Sequence, residues 1–154
     1  MIPITIRSLR AADNEIIRFI KIRLSSLWKV SAEEIENDLI VPSFEGEFPY
    51  IFTALTEDNR FAGKIIISIE KNWFLGINGE PWISAVFVPE KYRGQGIAKK
   101  LITIAEDTAR KNGYRTLYLD TIEAVGYYKK LGGWREIGTD KWKDEQVTIM
   151  AKEL

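Results

Sequence analysis

A glycine-rich, basic turn is the stretch of this sequence best suited to do chemistry. The turn, Arg93-Gly94-Gln95-Gly96-Ile97-Ala98-Lys99, joins an apolar, β-branched run to a helical pattern. A helix that begins after such a turn presents unpaired backbone N–H groups and the positive end of its dipole, which attract an anion. Gly94 and Gly96 let a ligand approach the main chain closely, and Arg93 can pair with a phosphate. We therefore predict that the turn binds a phosphate or another anion.

Two common phosphate-binding motifs fit these residues poorly. A Walker P-loop has Lys and then Ser or Thr after its second glycine, whereas Gly96 is followed by Ile97. A dinucleotide-binding fingerprint has Gly or Ala where Lys99 stands, although Asp120 lies at a suitable distance for a ribose contact. The first motif is excluded and the second is incomplete. A glycine turn that only links a strand to a helix is the structural alternative.

Two absences from the composition restrict the mechanism. The chain has no cysteine and no histidine, which removes thiolate nucleophiles, cysteine-ligated zinc and the commonest general base. Acid–base chemistry must therefore use carboxylates, tyrosine, lysine or water. The 22 basic and 22 acidic residues balance, so no net charge favours nucleic acid. We find neither a signal-peptide pattern nor an apolar run of the ~18 residues that span a membrane, and we expect a cytoplasmic protein.

The order of apolar patterns predicts one α/β domain over residues 1–154. Strand patterns cover 2–9, 50–56, 61–71, 82–88 and 116–121, and a closing antiparallel pair covers 134–137 and 146–150. Helical patterns cover 13–27, a second segment from Ser31 that ends at Pro42, 96–112 and 123–131. We expect Asp13 and Ser31 to cap the first two helices. The strand, helix and strand between 82 and 121 imply a parallel pair.

The glycine turn resembles a known family signature. Residues 93–98, RGQGIA, are similar to the Q/R-x-x-G-x-G/A signature of the GCN5-related N-acetyltransferase (GNAT) superfamily. The preceding strand ends Val86-Phe87-Val88-Pro89-Glu90, and residues 128–134, YKKLGGW, are similar to the family's Y-x-x-x-G-F/W region. The chain looks like a small bacterial-type member. The resemblance implies the GNAT fold, an α+β arrangement with a mixed central sheet of about six or seven strands, a splayed parallel pair and about four flanking helices.

The resemblance also implies acetyl-CoA as cosubstrate, with no metal. Its pyrophosphate would bind to Arg93, Gly94, Gln95, Gly96, Ile97, Ala98 and Lys99, and its pantetheine arm would lie along Val86, Phe87 and Val88. Tyr128 stands where many members keep a tyrosine that protonates the departing thiolate, and core packing is the alternative role for it. The ordinary tyrosine pKa near ~10 exceeds the ~8.5 of a thiol, so this transfer is uphill. Thr121 replaces an asparagine that contacts the cofactor in many relatives.

The implied function is transfer of an acetyl group from acetyl-CoA to a primary amine of a small molecule or peptide, by direct attack in a ternary complex. A non-catalytic acyl-CoA-binding or sensor domain of the same fold is the alternative, and transfer of a longer acyl group is also open. The implied partners are acetyl-CoA and an amine acceptor, with neither nucleic acid nor a membrane. The acceptor's identity and the oligomeric state, with a homodimer as one option, stay open.

The general base also stays open at this point. Glu70, Glu80, Asp120 and the pair Glu45/Glu47 are candidates, directly or through water. A serine on the central strand, Ser84, could only relay a proton through water.

Two aromatic segments have both a structural and a functional interpretation. Residues 43–49 carry two glutamates flanked by two phenylalanines, a pattern typical of a solvated loop or of an acidic wall for a cationic acceptor. Residues 73–81 begin with two aromatic side chains, which could close over a substrate or pack on the sheet.

Overall fold

A computed structural model describes all 154 residues of the chain, and a seven-stranded mixed sheet forms its centre. The strands are β1 (Ile4–Ser8), β2 (Tyr50–Thr56), β3 (Phe61–Glu70), β4 (Glu80–Phe87), β5 (Thr116–Thr121), β6 (Trp134–Trp142) and β7 (Glu145–Glu153). Their order across the sheet is β1-β2-β3-β4-β5-β7-β6. Only β4 and β5 are parallel neighbours, and the other neighbouring strands are antiparallel.

Four helical units flank this sheet. The α-helices are α1 (Asn14–Trp28), α2 (Ala32–Ile35), α3 (Val41–Ser43), α4 (Ile97–Lys111) and α5 (Val125–Leu131). A π-helical turn over Glu36–Ile40 joins α2 to α3, so these pieces form one continuous unit. None of the helices combines the length and the apolar character needed to cross a membrane.

The parallel strands β4 and β5 pair over only two residues each. Trp82 pairs with Tyr118 and Ile83 with Leu119, after which β4 continues to Phe87 without a partner in β5. On its other side β4 stays paired with β3 as far as Phe87. The two parallel strands therefore diverge and leave a slot between them. The predicted mixed sheet with a splayed parallel pair and about four helices is confirmed.

A β-bulge in β4 lies where this divergence begins. Ile67 of β3 pairs with Ile83, and the next residue, Ile66, pairs with Ala85. Ser84 is thus the extra residue, which has no partner in β3. Such bulges re-aim side chains and are frequent next to functional sites.

Helices cover both faces of the sheet with apolar stripes. On one face α4 buries Ile97, Leu101 and Ala105, which recur every four residues, against the strands. On the other face α1 buries Ile20 and Leu24 in a second cluster. Each fully buried Leu or Ile stabilises the fold by roughly 1.5–3 kcal/mol, so these stripes hold the two central strands in place.

One predicted helix cap is confirmed and the other is wrong. The Ser31 side chain accepts a hydrogen bond from the Glu34 N–H at 3.0 Å. Asp13 occupies the N-cap position of α1, but its side chain makes no capping hydrogen bond. Its carboxylate instead accepts two hydrogen bonds from the Arg7 guanidinium at 2.8 Å and one from the Arg10 N–H at 2.8 Å. A bidentate bond from a charged guanidinium is stronger than a bond from a neutral backbone N–H, so the carboxylate pairs with Arg7 instead of capping α1.

The prediction that Pro42 ends the second helix is also wrong, because helical backbone continues to Ser43. Pro42 falls in the first turn of α3, where the missing proline N–H is tolerated. The π-helical turn immediately before it changes the hydrogen-bond pattern at that point.

Candidate functional site

The glycine turn before α4 has the predicted backbone conformation. Gly94 and Gly96 have φ values of 78° and 75°, in the left-handed region that favours glycine. A Cβ added at Gly94 would have no heavy atom within 4 Å, and one at Gly96 would meet only the Met1 side chain at 3.9 Å. Arg93 braces the turn, since its Nε donates to the Val88 carbonyl at 3.0 Å. The space beside the two glycines is therefore open to a ligand.

The amides of this turn are free to bind an anion. The first helical hydrogen bond runs from the Lys100 N–H to the Gly96 carbonyl at 3.2 Å, and no N–H from residue 94 to residue 99 donates to a backbone carbonyl. The Lys99 side chain is exposed beside these amides. This arrangement suits a pyrophosphate.

Two predicted ligand residues of the turn also make structural contacts of their own. The Gln95 side chain accepts a hydrogen bond from the Ile2 N–H at 3.4 Å, which ties the N-terminus to the turn. Ile97 is buried beneath α4 and anchors the helix start to the core. A pyrophosphate at this turn would meet the main chain of residues 94–99 and the side chains of Arg93 and Lys99, and the two N–H donors of the Gln95 side chain remain unused.

The slot edge of β4 can accept an extended ligand. Between Ser84 and Phe87 this strand has no partner in β5, so main-chain groups of Val86 or Phe87 that face the slot are unpaired on that side. The Val88 carbonyl accepts one hydrogen bond from Arg93 Nε, which leaves it one further lone pair for a ligand.

A cavity of about 280 Å³ lies where β4 and β5 diverge. Its walls are mainly aromatic and include Trp28, Trp73, Phe74, Trp82 and Trp142. Its polar lining comes from Glu70, Ser84 and Asp120. The two aromatic side chains at the start of residues 73–81 both line this cavity and pack together at 5.1 Å between ring centroids. We name this space the apex cavity.

A second cavity of about 390 Å³ adjoins the apex cavity and shares Trp28, Val30, Glu70 and Ser84 with it. We name it the side cavity. Glu34 and Asp38 contribute its further carboxylates. The acidic wall therefore comes from the second helical unit rather than from Glu45 and Glu47, the pair suggested by the sequence.

The carboxylates of both cavities lack basic partners within the protein. None of the four, which are Glu34, Asp38, Glu70 and Asp120, belongs to any of the ion pairs of the structure. Unpaired carboxylates between aromatic walls attract a cation by charge and by cation–π contact. Of the candidate bases, only Glu70 and Asp120 line these cavities, whereas Glu80 lines neither.

Asp120 titrates unusually for an aspartate. Burial raises its pKa to about 6, and the nearby charge of Glu70 acts in the same direction. Asp120 directly follows Leu119, the last residue of β5 that pairs with β4. A carboxylate with a pKa near neutrality at this point can exchange a proton under physiological conditions.

Tyr128 lies on α5 and lines neither cavity. Its ring packs edge-on against Trp134 at 5.7 Å, and burial raises the pKa of its phenol to about 12. Protonation of a thiolate by this phenol is thus more uphill than for a free tyrosine. The Thr121 hydroxyl accepts from the Ala124 N–H at 2.9 Å, so this residue shapes the entry to α5. The catalytic role of Tyr128 stays a prediction.

Ser68 is a site residue that sequence reasoning missed. Its hydroxyl lies in the side cavity, donates to Glu70 Oε1 at 2.7 Å and is also hydrogen-bonded to the Ser84 hydroxyl. Two serines inside apolar strands were the available signal, but only the strand register shows that they meet. Residues able to hold a metal ion do not gather in groups of three or more.

A splayed parallel pair, a free-amide turn at the start of the following helix and an acidic cavity at the point of divergence occur together in this fold. The chain belongs to the Acetyltransferase (GNAT) family, whose model matches residues 13–133.

Individual comparisons agree with this family. Acetyltransferase Atu2258 of Agrobacterium fabrum is 35% identical over 82 residues, which cover 52% of this chain and 55% of that protein. The spermine/spermidine N(1)-acetyltransferase of Bacillus subtilis is 27% identical over 124 residues, which cover 77% of this chain and 66% of that protein. The chain thus spans just over half of the first relative and about two thirds of the second.

A solved structure has the same fold over nearly the whole chain. A chain of the NatC complex bound to Gag peptide and CoA superposes with a TM-score of 0.73 and 18% identity, covering 98% of both chains.

Proposed function

We propose that this protein transfers the acetyl group of acetyl-CoA to a primary amine of a small molecule or peptide, by direct attack in a ternary complex. The observation that carries the proposal is the apex cavity, where unpaired carboxylates lie at the end of a slot open to an extended cosubstrate. Membership of the acetyltransferase family supports acyl transfer, and the acidic cavities support an amine as the acceptor.

The coenzyme would be held by main-chain groups. The amides of residues 94–99 would bind its pyrophosphate, and Arg93 and Lys99 would add positive charge. The pantetheine arm would extend along the unpaired edge of β4, where Val86 and Phe87 offer backbone groups. This path leads toward Ser84 and the apex cavity, and it would aim the thioester at the acceptor.

The acceptor would enter as an ammonium ion. A free alkylammonium has a pKa near ~10.4, so it is almost fully charged at neutral pH and is attracted by Glu70 and Asp120. The aromatic walls would contact its carbon chain and exclude water. The amine must then lose a proton before it can attack the thioester carbonyl. Both carboxylates lie in the cavity where this loss must occur.

A non-catalytic acyl-CoA-binding or sensor domain is the second candidate. The observation that favours it is Tyr128, whose raised pKa of about 12 makes it a poor acid for the departing thiolate. Such a domain would keep the free-amide turn and the slot but would release no coenzyme A.

Turnover with defined amines distinguishes the two candidates. Purified protein would be given acetyl-CoA with polyamines, aminoglycosides or peptides with a free N-terminus, and released thiol would be measured alongside mass spectrometry of the acceptor. We expect thiol release that depends on one class of amine and yields a product heavier by one acetyl group. Tight acetyl-CoA binding in calorimetry without any amine-dependent release would instead support the sensor.

A further inference from the structure

Three side chains on the neighbouring strands β3 and β4 form a continuous hydrogen-bonded chain. Ser68 Oγ donates to Glu70 Oε1 at 2.7 Å, and Ser68 Oγ and Ser84 Oγ are hydrogen-bonded to each other. Glu70 and Ser84 line both the apex cavity and the side cavity, and Ser68 lines the side cavity. The chain therefore connects the point where the two parallel strands diverge to a carboxylate in contact with the second cavity.

The hydroxyl protons of this chain can point in only one direction. An ionised Glu70 accepts hydrogen bonds and cannot donate, so the single hydroxyl proton of Ser68 is used in the bond to Glu70. The bond between the serines must then be donated by Ser84. As a result, Ser84 offers only lone pairs to the cavity, where it can accept a proton.

The position of Ser84 places that acceptor at the reacting end of the slot. Ser84 is the extra residue of the β4 bulge and follows Ile83, the last residue of β4 that pairs with β5. A thioester carried along the unpaired edge of β4 would end beside it. An amine that attacks this thioester would lie within the apex cavity that Ser84 lines.

We infer that Ser84 and Ser68 relay a proton from the attacking ammonium to Glu70, an assignment that rests on the proposed N-acetyltransferase function. Ser84 Oγ takes a proton from the ammonium and passes its own to Ser68 Oγ, which passes its own to Glu70 Oε1. The neutral amine then forms the N–C bond, the C–S bond breaks, and the remaining excess proton on nitrogen ends on the coenzyme A thiolate, directly or by exchange through the Tyr128 phenol. Glu70 returns its proton to water in the side cavity.

The relay gives the neighbouring carboxylates a different role. Asp120, Glu34 and Asp38 are the other titratable groups that line the two cavities, and none of them hydrogen-bonds to either serine. They attract the cationic acceptor by charge. Between free groups the transfer from an ammonium to a glutamate is uphill by about six pKa units, so the onward release to water completes it.

Three variants separate the relay from simpler roles of the same residues. Ser68→Ala breaks the chain but keeps the charge of Glu70 in the cavity. Glu70→Gln keeps an oxygen that can accept from Ser68 but removes the final proton acceptor. The double variant Ser68→Ala/Glu70→Gln tests whether the two residues act as one unit, since the losses in kcat/KM caused by members of a relay do not add. Ser68→Thr restores a hydroxyl, and Ser84→Ala breaks the chain at its other end. As a control, Ser25→Ala removes a hydroxyl that lines neither cavity.

For the relay we expect each single variant to lower kcat/KM for the amine roughly 100-fold at pH 7, within the range of general-base catalysis. The double variant should be no slower than either one, and Ser68→Thr should recover most of the rate. The loss should shrink as the pH approaches ~10, where the free amine no longer needs a base. Acetyl-CoA affinity, measured by calorimetry, should stay unchanged in the variants, as in Ser25→Ala, and should confirm that they are folded.

Three results would overturn the relay. A Ser68→Ala protein within twofold of wild type, beside a slow Glu70→Gln protein, would reduce Glu70 to a binding charge. A slow Ser68→Ala protein beside an active Glu70→Gln protein would reduce the serines to hydrogen-bond positioning. Absence of turnover by the wild-type protein with every amine would overturn the proposed function and the relay together. If Ser68→Ala fails to fold, Ser84→Ala with the same readouts replaces it.

Discussion

Ser84 and Asp120 hold equivalent positions on the two diverging parallel strands, each directly after the last residue that pairs with the other parallel strand. Both side chains line the apex cavity. One carries a hydroxyl oriented by its neighbours, and the other carries a carboxylate whose burial raises its pKa. The strand geometry that opens the slot therefore also brings the polar groups to its end.

Asp120 should reduce stability at neutral pH. Its pKa is raised to about 6 from the ordinary 3.8, so the folded state favours the protonated acid. The cost of ionisation to folding therefore develops between pH 3.8 and about 6 and is complete above pH 6. We expect Asp120→Asn to raise the free energy of unfolding by roughly 2–3 kcal/mol at pH 8, with the gain vanishing near pH 4. Urea denaturation at several pH values measures this.

An Asp140 variant provides a control in which the expected change in the free energy of unfolding has the opposite sign. Hydrogen bonds from the Leu75 and Lys141 N–H groups lower its pKa. Stability from this carboxylate is present above its unfolded pKa and is lost as the pH falls, so Asp140→Asn should destabilise at pH 8. A stabilised Asp140→Asn protein, or an Asp120→Asn gain that persists at pH 4, would contradict the electrostatic explanation.

The positive charge of Lys64 should also oppose folding, but at lower pH values than the charge of Asp120 does. Its side chain is 1% exposed and forms no hydrogen bond or ion pair, and burial lowers its pKa to about 7, with a further lowering from Arg23. The folded state favours the neutral amine, so the penalty is greatest below pH 7 and disappears as the pH rises toward 10.5. We expect Lys64→Met to stabilise by about 4 kcal/mol at pH 6, measured by urea denaturation.

An exposed lysine supplies the comparison for Lys64→Met. Lys71→Met, at an exposed position after β3, should change the free energy of unfolding by less than about 0.5 kcal/mol at any pH. A Lys64→Met gain that does not shrink between pH 6 and pH 10 would show that packing, rather than charge, causes it.

Gly96→Glu should abolish acetyl-CoA binding. The added side chain would fill the open space beside the free amides, and its charge would repel the pyrophosphate. We expect calorimetry to show a loss of affinity of at least roughly 100-fold, which is about 2.7 kcal/mol. Gly113→Glu is the matched control, because Gly113 has a similar φ of 86° and open surroundings beyond the other end of α4. Equal losses in both variants would indicate backbone strain instead.

Tyr128→Phe should lower kcat with little change in acetyl-CoA affinity if the phenol protonates the departing thiolate. The pKa of about 12 makes the transfer uphill, so we expect only about a tenfold loss, below the usual range for general acids. Steady-state kinetics with a saturating amine measures this. An unchanged kcat would assign Tyr128 to packing against Trp134.

Local chemistry explains what could be predicted from the sequence. The glycine turn, the helix that follows it and the strand from Thr116 to Thr121 depend on residue types within a few positions, and the structure has each of them where it was predicted. The parallel pair followed from the order of these elements. The Asp13 cap failed because its carboxylate has a stronger partner in Arg7, on a different element.

Contacts between distant residues explain what could not be predicted. Ser68 and Ser84 meet only because β3 and β4 pair in one register with an extra residue in β4. The sequence left residues 45 and 47 open between a solvated loop and an acidic wall, and in the structure both are exposed. Glu34 and Asp38 line the side cavity instead, since the π-helical turn and the packing of the second helical unit decide what faces it. Local composition shows that these serines and carboxylates are present, but it does not show which of them meet.

The bulge at Ser84 also sets which way every later side chain of its strand turns. Ile83 and Val86 pack against the same α4-side cluster although three positions separate them, whereas Ala85 packs against the α1-side cluster. An uninterrupted strand would place Ile83 and Ala85 on one side. Deleting Ser84 would therefore leave Ile83, Ala85 and Val86 in regular alternation and in their present register with β3, and it would remove only the bulge and the hydroxyl that the bulge places at the end of the slot.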